Sequence, residues 1–212
     1  GDVDNDGSLN VVVTEDSSSP AKISVFNNRG QMLPNWPQTV SGSGAFLGSP
    51  SLSDLDNNGT LEIIFGSDGQ VNIYEATGNP FPGWPQPVEK RTWPIIASNV
   101  AVGPIGGDNS LGIASISDTG YFYIWNTQGE LRPGFPIHYE HPDMRTNCWS
   151  TPVIADAAGD GDSNIVLTLF YHGEILSTNH FAEIVVLDDL ESNFEERGWL
   201  TFHKDNQRTG RV

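Results

Sequence analysis

The chain has 212 residues, of which 27 are acidic and 10 are basic, so its formal net charge is −17. This balance disfavours binding to nucleic-acid phosphates and anionic membranes, and leaves either an acidic solvated surface or aspartates gathered around bound cations. One cysteine excludes an intrachain disulfide, and the absence of an apolar run of about 18 residues argues against membrane insertion.

The chain begins within a loop that carries oxygen side chains at alternate positions. In this loop, called loop one, Asp2, Asp4 and Asp6 occupy positions one, three and five, Gly7 follows at six, and Asn10 stands at nine. Hard oxygen ligands spaced two apart are typical of a calcium loop, in which glycine permits the sharp bend. The alternative is an Asp-Gly turn that needs no metal. Because the chain opens inside this motif, we expect it to be a piece of a longer protein.

Loop two has the same spacing within a complete repeat. It begins at Asp54, continues through Asp56 and Asn58, bends at Gly59 and ends at Glu62. A short apolar strand, a Gly turn and an alternating strand follow at residues 63–74. Two matches within one repeat frame favour calcium binding over a metal-free turn.

An aromatic–proline turn recurs roughly every fifty residues, at Trp36-Pro37, Trp84-Pro85 and Phe135-Pro136. A period of this length with about four short strands per unit predicts the blades of a β-propeller. We therefore predict one all-β domain over residues 1–212, with four complete or partial blades at 1–48, 49–96, 97–147 and 148–212. The aromatic residues of the turns are predicted to pack between consecutive blades, because one small sheet cannot bury both of its faces.

The other two segments depart from the loop pattern. Loop four retains Asp156, Asp160 and Asn164 at positions one, five and nine, but Ala158 removes the ligand at position three. Its site is predicted to be weak or to use water in place of that ligand. The third segment has residues 103–109 in this place, without alternating carboxylates, and is predicted to form a turn that binds no metal.

With these motifs the chain resembles the FG-GAP/VCBS repeat family, the integrin-α-like calcium-binding β-propellers. The resemblance rests on loops one and two, on residues 63–66 and on the Pro-Gly-Trp-Pro turns. The closing segment, residues 199–210, is similar to the end of secreted bacterial proteins that carry such repeats. The family closes about seven blades, so the resemblance implies either the C-terminal part of a longer propeller or a ring that another chain completes.

The resemblance also implies the calcium ligands, position by position. In loop one they are Asp2, Asp4, Asp6, Ser8 and Asn10. In loop two they are Asp54, Asp56, Asn58, Thr60 and Glu62. In loop four they are Asp156, Asp160, Asp162 and Asn164.

Three classes of function fit this architecture. An enzyme is the least favoured, since the only close histidines, His138 and His141, have no obvious third zinc ligand and no nucleophile or phosphate-loop motif occurs. A binding module is favoured, because a propeller presents loops on a rigid disc. The candidate recognition loops are Thr39–Gly48, Val88–Pro94 and His138–Trp149, and the partner would be a protein or a glycan.

The third class is an accessory domain attached to a secreted or surface enzyme. The sequence therefore predicts an extracellular or cell-surface, calcium-binding propeller with a binding, adhesive or accessory role. The alternative is that the chain is part of a polysaccharide-degrading enzyme or a secreted protease. The partner, the number of blades in the whole ring and the oligomeric state do not follow from these motifs.

Overall fold

The computed structural model consists of four antiparallel β-sheets that follow one another along the chain. The structure describes residues 1–15, 20–40, 47–67, 69–89, 99–105, 110–141, 144–148, 150–157, 159, 162–172, 180–187 and 200–201. Within these residues every helix-or-strand element is a strand, which confirms the all-β prediction. None of the described segments is an apolar helix long enough to cross a membrane.

The three strands of the first sheet correspond to the last three strands of the second. The first contains β1 (Val11–Glu15), β2 (Lys22–Phe26) and β3 (Gln38–Thr39), in that order. The second contains β4 (Ser51–Ser53), β5 (Glu62–Ser67), β6 (Gln70–Tyr74) and β7 (Gln86–Pro87). The strand pairing is equivalent in the two sheets: Val12 of β1 pairs with Val25 of β2, as Ile64 of β5 pairs with Ile73 of β6. The strands predicted after loop two, at residues 63–74, are confirmed.

The third sheet repeats the plan of the second and the fourth extends it. The third contains β8 (Val100–Pro104), β9 (Leu111–Ile116), β10 (Tyr121–Asn126) and β11 (Ile137–His138). The fourth contains β12 (Arg145–Asn147), β13 (Val153–Ala155), β14 (Asn164–His172), β15 (His180–Leu187) and β16 (Leu200–Thr201). Both β12 and β13 pair with β14, which is long enough for two short partners. Pro152 lies between them and has no N–H to continue the ladder.

Successive sheets pack face to face through apolar clusters. On β5, Ile63 and Phe65 are fully buried in a cluster with Ile23 of the first sheet. Ile64 points the other way, into a cluster with Ile113 of the third sheet. This alternation is the period-two pattern of a strand buried on both faces. The strands β4, β8 and β13, which precede the loop position in the later sheets, lie together, since β8 contacts both β4 and β13.

The aromatic–proline turns join each sheet to the next, as predicted. The indole N–H of Trp36 donates to the carbonyl oxygen of Ala76 at 3.1 Å, and that of Trp84 donates to Thr127 at 3.1 Å. Gly83 has a φ of 87°, and a Cβ at this position would collide with the backbone carbonyl of Gln128. Glycine is therefore needed where the turn touches its neighbour.

The two end sheets each expose apolar side chains on one face. Val11 and Val13 on β1 are 57% and 42% exposed. Their equivalents on β5, Ile63 and Phe65, are both fully buried because the first sheet covers them. At the other end of the array, Phe170 and Ile184 are also exposed.

Replacing Trp84 with Phe is expected to destabilise the protein by about 1–3 kcal/mol, because the Thr127 carbonyl loses its buried donor while the aromatic packing is largely retained. Urea denaturation at fixed calcium concentration measures the change. The control Leu131→Ala, at a position 45% exposed, is expected to change stability by less than about 0.5 kcal/mol. Equal effects of the two substitutions would contradict the role of the indole hydrogen bond.

Candidate metal centres

Loops one and two share one backbone path, and the described part of loop four matches it at position four. Position four is left-handed in each, with φ values of 55° at Asn5, 59° at Asn57 and 76° at Gly159. Position six is also left-handed in the first two loops, at Gly7 and Gly59. Asn and Gly are the residues that adopt this conformation at least cost. The residue types at positions four and six therefore favour a tight turn, independently of the ligand side chains.

The carboxylate at position one closes this turn. In loop two, Asp54 accepts the N–H groups of Asn58 at 3.1 Å and Gly59 at 2.9 Å on its two oxygens. In loop one, Asp2 accepts the corresponding N–H groups at positions five and six, at 3.1 and 3.0 Å. Such charge-assisted bonds hold the alternate side chains on the inside of the loop.

Position nine accepts a hydrogen bond from the backbone N–H of position two in all three loops, at 2.7 Å each time. The donor–acceptor pairs are Val3–Asn10, Leu55–Glu62 and Ala157–Asn164. The three acceptor side chains are buried. Sequence reasoning missed this contact, although the apolar residue at position two of loops one and two, Val3 and Leu55, which is buried, is a visible signal of it.

The loops bring carboxylates into close groups. In loop two, one carboxylate oxygen from each of Asp54, Asp56 and Glu62 lies within 4.8 Å of the others. In loop one, Asp2, Asp4 and Asp6 form a group of the same size. The described part of the chain thus contains two acidic clusters that could hold a metal ion.

Two further predicted ligands of loop two lie beside its cluster. The side-chain oxygen of Asn58 accepts both the backbone N–H and the hydroxyl of Thr60, at 2.7 and 2.6 Å. The Asn58 amide donates to Asp56 at 3.0 Å. In loop one the N–H of Ser8 donates to Asp6 at 2.8 Å. Positions five and seven are therefore held against each other in both loops.

Glu62 has an unusual environment for a carboxylate. Its side chain is fully buried, Oε2 accepts the Leu55 N–H, and Oε1 is buried with no hydrogen-bond partner. Burial raises the pKa of Glu62 above its usual 4.5; the Leu55 N–H opposes this rise, and the negative charges of Asp56 and Asp54 add to it. Asp4 Oδ1 in loop one is likewise buried without a partner. A cation in each loop would satisfy the unpaired oxygen of that loop.

The two loops place their third carboxylate differently. Loop one has Asp6 at position five and Asn10 at position nine, whereas loop two has Asn58 and Glu62 there. Each cluster consequently contains three carboxylates. The side-chain oxygen of Asn10 accepts the Val3 N–H and has one lone pair left for an ion, because the other polar group of this amide is an N–H donor. Of the two position-nine side chains, only Glu62 of loop two has a second oxygen atom that could bind an ion.

Loop four is described in part. The N–H of Gly159 donates to Asp156, and Asn164 makes the position-nine contact. Asp162 is exposed, and Ala158, Asp160 and Gly161 lie outside the described residues. The ligand set of this loop therefore stays a prediction. Residues 106–109 of the third segment also lie outside them, so its predicted metal-free turn stays a prediction too.

The predicted recognition loops are also described in part, since residues 41–46, 90–98, 142, 143 and 149 lie outside the described residues. In the last of these loops, His138 stacks on Tyr121 with ring centroids 3.9 Å apart, and the His141 ring lies 5.5 Å from that of Tyr171. Tyr139 packs against the cluster between the third and fourth sheets, and burial raises its pKa. These three side chains contact the protein's own aromatic and apolar residues.

The fold and the loops define a class: an all-β protein of stacked small sheets with acidic loops that lead directly into a strand, β1 or β5. Residues 2–65, which include both acidic clusters, match the family model described as FG-GAP-like repeat. The match confirms the resemblance over these residues.

Comparison with curated protein sequences gives no match. Among solved structures, the chain is similar to the V. cholerae biofilm matrix protein Bap1, with a TM-score of 0.46 and 17% sequence identity. The similarity covers 89% of this chain and 36% of that protein, so the chain spans about a third of its length.

Replacing Glu62 with Gln is expected to act in opposite directions with and without calcium. In chelator at neutral pH it removes a buried charge from beside Asp54 and Asp56 and keeps an acceptor for Leu55, so stability should rise. With calcium present, the stabilisation by the ion should fall. Thermal melts in both conditions measure the two changes.

The matched control is Glu15→Gln, the same change at an exposed strand position. It should leave both melts nearly unchanged. A loss of stability for Glu62→Gln in chelator would contradict the assignment of an uncompensated charge to this position.

Proposed function

We propose that this chain is a calcium-binding part of an extracellular or cell-surface β-propeller with a binding, adhesive or accessory role. The observation that carries the proposal is the Glu62 carboxylate. It is fully buried, retains one oxygen without a partner, and lies within 4.8 Å of the carboxylate oxygens of Asp54 and Asp56. A cation at this position would relieve the repulsion among three carboxylates and would also satisfy the buried oxygen of Glu62 that has no hydrogen-bond partner.

Calcium fits the donor set better than other ions. The loops offer only oxygen, from carboxylates, amides and hydroxyls, whereas zinc favours nitrogen and sulfur. Magnesium requires a compact octahedron and keeps several waters, while calcium accepts six to eight oxygens in flexible geometry. The proposed ligands are those of the family pattern in all three loops: Asp2, Asp4, Asp6, Ser8, Asn10, Asp54, Asp56, Asn58, Thr60, Glu62, Asp156, Asp160, Asp162 and Asn164.

The propeller is supported by the way the sheets follow one another. Each sheet packs on the next, and the strands that precede the loop position, β4, β8 and β13, lie together as the inner strands of blades would. Val11 and Val13 are exposed at positions where β5 is covered by a preceding sheet. We propose that further sheets of the same kind cover this face and the exposed Phe170 and Ile184 at the other end, so that the ring is completed by the rest of a longer propeller.

An extracellular location is supported by the chemistry of the loops. Sites that use a few carboxylates and neutral oxygens suit the millimolar calcium outside cells, where affinities of about 10⁻⁴ to 10⁻³ M suffice. The net charge of −17 keeps such a protein soluble and disfavours nucleic acid as a partner. The loops between strands remain the proposed contact surface for a protein or glycan.

A thermal melt in millimolar calcium and again in excess chelator tests the metal sites. At 10 mM calcium, which is ten- to a hundredfold above dissociation constants of about 10⁻³ to 10⁻⁴ M, each occupied loop should add about 1.4–2.7 kcal/mol, so the melting temperature should fall by several degrees in chelator. Magnesium at the same concentration should not restore it. Asp56→Ala should retain only part of the calcium effect, and identical melts with and without chelator would refute the sites.

The binding role is tested with the labelled chain on arrays of glycans and extracellular proteins, in calcium and in chelator. Binding that requires calcium is expected, because the ions hold the loops between strands in one conformation. Mutation of loop two with Asp54→Ala should weaken binding and stability together. A chain that is stabilised by calcium yet binds neither class of partner would favour the accessory role instead.

A further inference from the structure

Loops one and two touch each other directly. The backbone N–H of Leu61 donates to the carbonyl oxygen of Val3 at 3.0 Å. Leu61 lies between positions seven and nine of loop two, and Val3 lies between positions one and three of loop one. One hydrogen bond thus joins two backbone segments whose neighbours on both sides are proposed ligands.

A second contact lies in the turns themselves. A Cβ placed on Gly59 would lie 2.9 Å from the Asn5 side-chain amide nitrogen, so the Asn5 side chain packs against the turn of loop two. Asn5 and Gly59 are both left-handed, at position four of one loop and position six of the other. The Leu61 side chain also lies close to Gly1, at the start of loop one. The two loops therefore form one contiguous structure.

We propose that the two cation sites are coupled, so that an ion at either loop raises the affinity of the other. This inference rests on the proposed calcium binding. Without ions, the three carboxylates of each loop repel one another and loosen the turn. An ion in loop two orders residues 60–62, which holds the Leu61 N–H against Val3 and thereby orders Asp2 and Asp4. The second ion meets a loop that is already ordered.

Electrostatic repulsion between the two ions does not turn this positive coupling into a negative one. Each cluster has three carboxylates, so a bound divalent ion leaves that loop with a net negative charge when all three are ionised. The first ion consequently weakens the electrostatic attraction of the protein for the second ion, but the loop that holds the first ion does not become positively charged. Salt screens this long-range effect, whereas the hydrogen bond and the Asn5 contact act at short range.

Titration calorimetry with calcium chloride on the 212-residue chain tests the coupling. Every protein carries Asp156→Asn, which weakens loop four. One variant silences loop one with Asp4→Asn and Asp6→Asn, and another silences loop two with Asp56→Asn and Glu62→Gln. Each variant reports the association constant of its intact loop alone.

The expected result is that the product of the two stepwise association constants of the unsilenced protein exceeds the product of the two single constants by about fivefold or more. The substitution Asn5→Gly keeps the left-handed turn and all ligands but removes the contact with Gly59, so it should lower this factor. Its matched control, Asn57→Gly at the same position of loop two, should leave the factor unchanged.

The outcomes separate this inference from the proposed function. If two ions bind, but the product of their stepwise association constants is equal to or below the product of the two single constants, the coupling is overturned and calcium binding remains intact. An equal loss of coupling in Asn5→Gly and Asn57→Gly would overturn the contact as its route. No calcium uptake by the unsilenced protein would overturn both proposals.

Discussion

The structure depends on the fact that none of its sheets can bury its own faces. Each sheet has three to five strands, and β5 has fully buried residues pointing in both directions. A strand of this kind is stable only between two neighbours, so the sheets must stack in sequence. The indole hydrogen bonds from Trp36 and Trp84 to the following sheet add directional contacts to an interface that apolar packing alone would leave free to slide.

The acidic loops derive their unusual electrostatics from this stacking. Glu62 is both position nine of loop two and the first residue of β5, so packing of the strand takes its carboxylate out of water. A loop on an isolated hairpin would keep the same spacing of oxygen atoms but would leave all its charges solvated. The stacking also brings loop one beside loop two, because the first sheet and β5 are neighbours. Metal chemistry and interface packing are consequently parts of one arrangement.

The spacing of residues predicted most of the local structure. The Asp-x-Asp-x-Asn-Gly order predicted a tight loop, and the structure gives its left-handed φ at Asn57 and Gly59. The two strands after loop two followed from their apolar and alternating residues, and β5 and β6 lie at residues 62–67 and 70–74, close to the predicted 63–74. The two-residue strands β3, β7 and β11 were missed, since two residues carry no periodicity. The extra strand β12 was missed because its pairing depends on the length of β14, which is set by tertiary packing.

By itself, the sequence determined the repeat, the turn types and the oxygen side chains that face the inside of each loop, because these depend on local conformation and on spacing of a few residues. Only the tertiary structure decided which of those oxygens is buried, which backbone N–H each position-nine side chain accepts, and which loops touch. The Leu61–Val3 hydrogen bond joins residues 58 positions apart in the chain, and no local pattern specifies it. Such contacts arise from the burial of apolar faces between sheets, a long-range effect that local sequence does not encode.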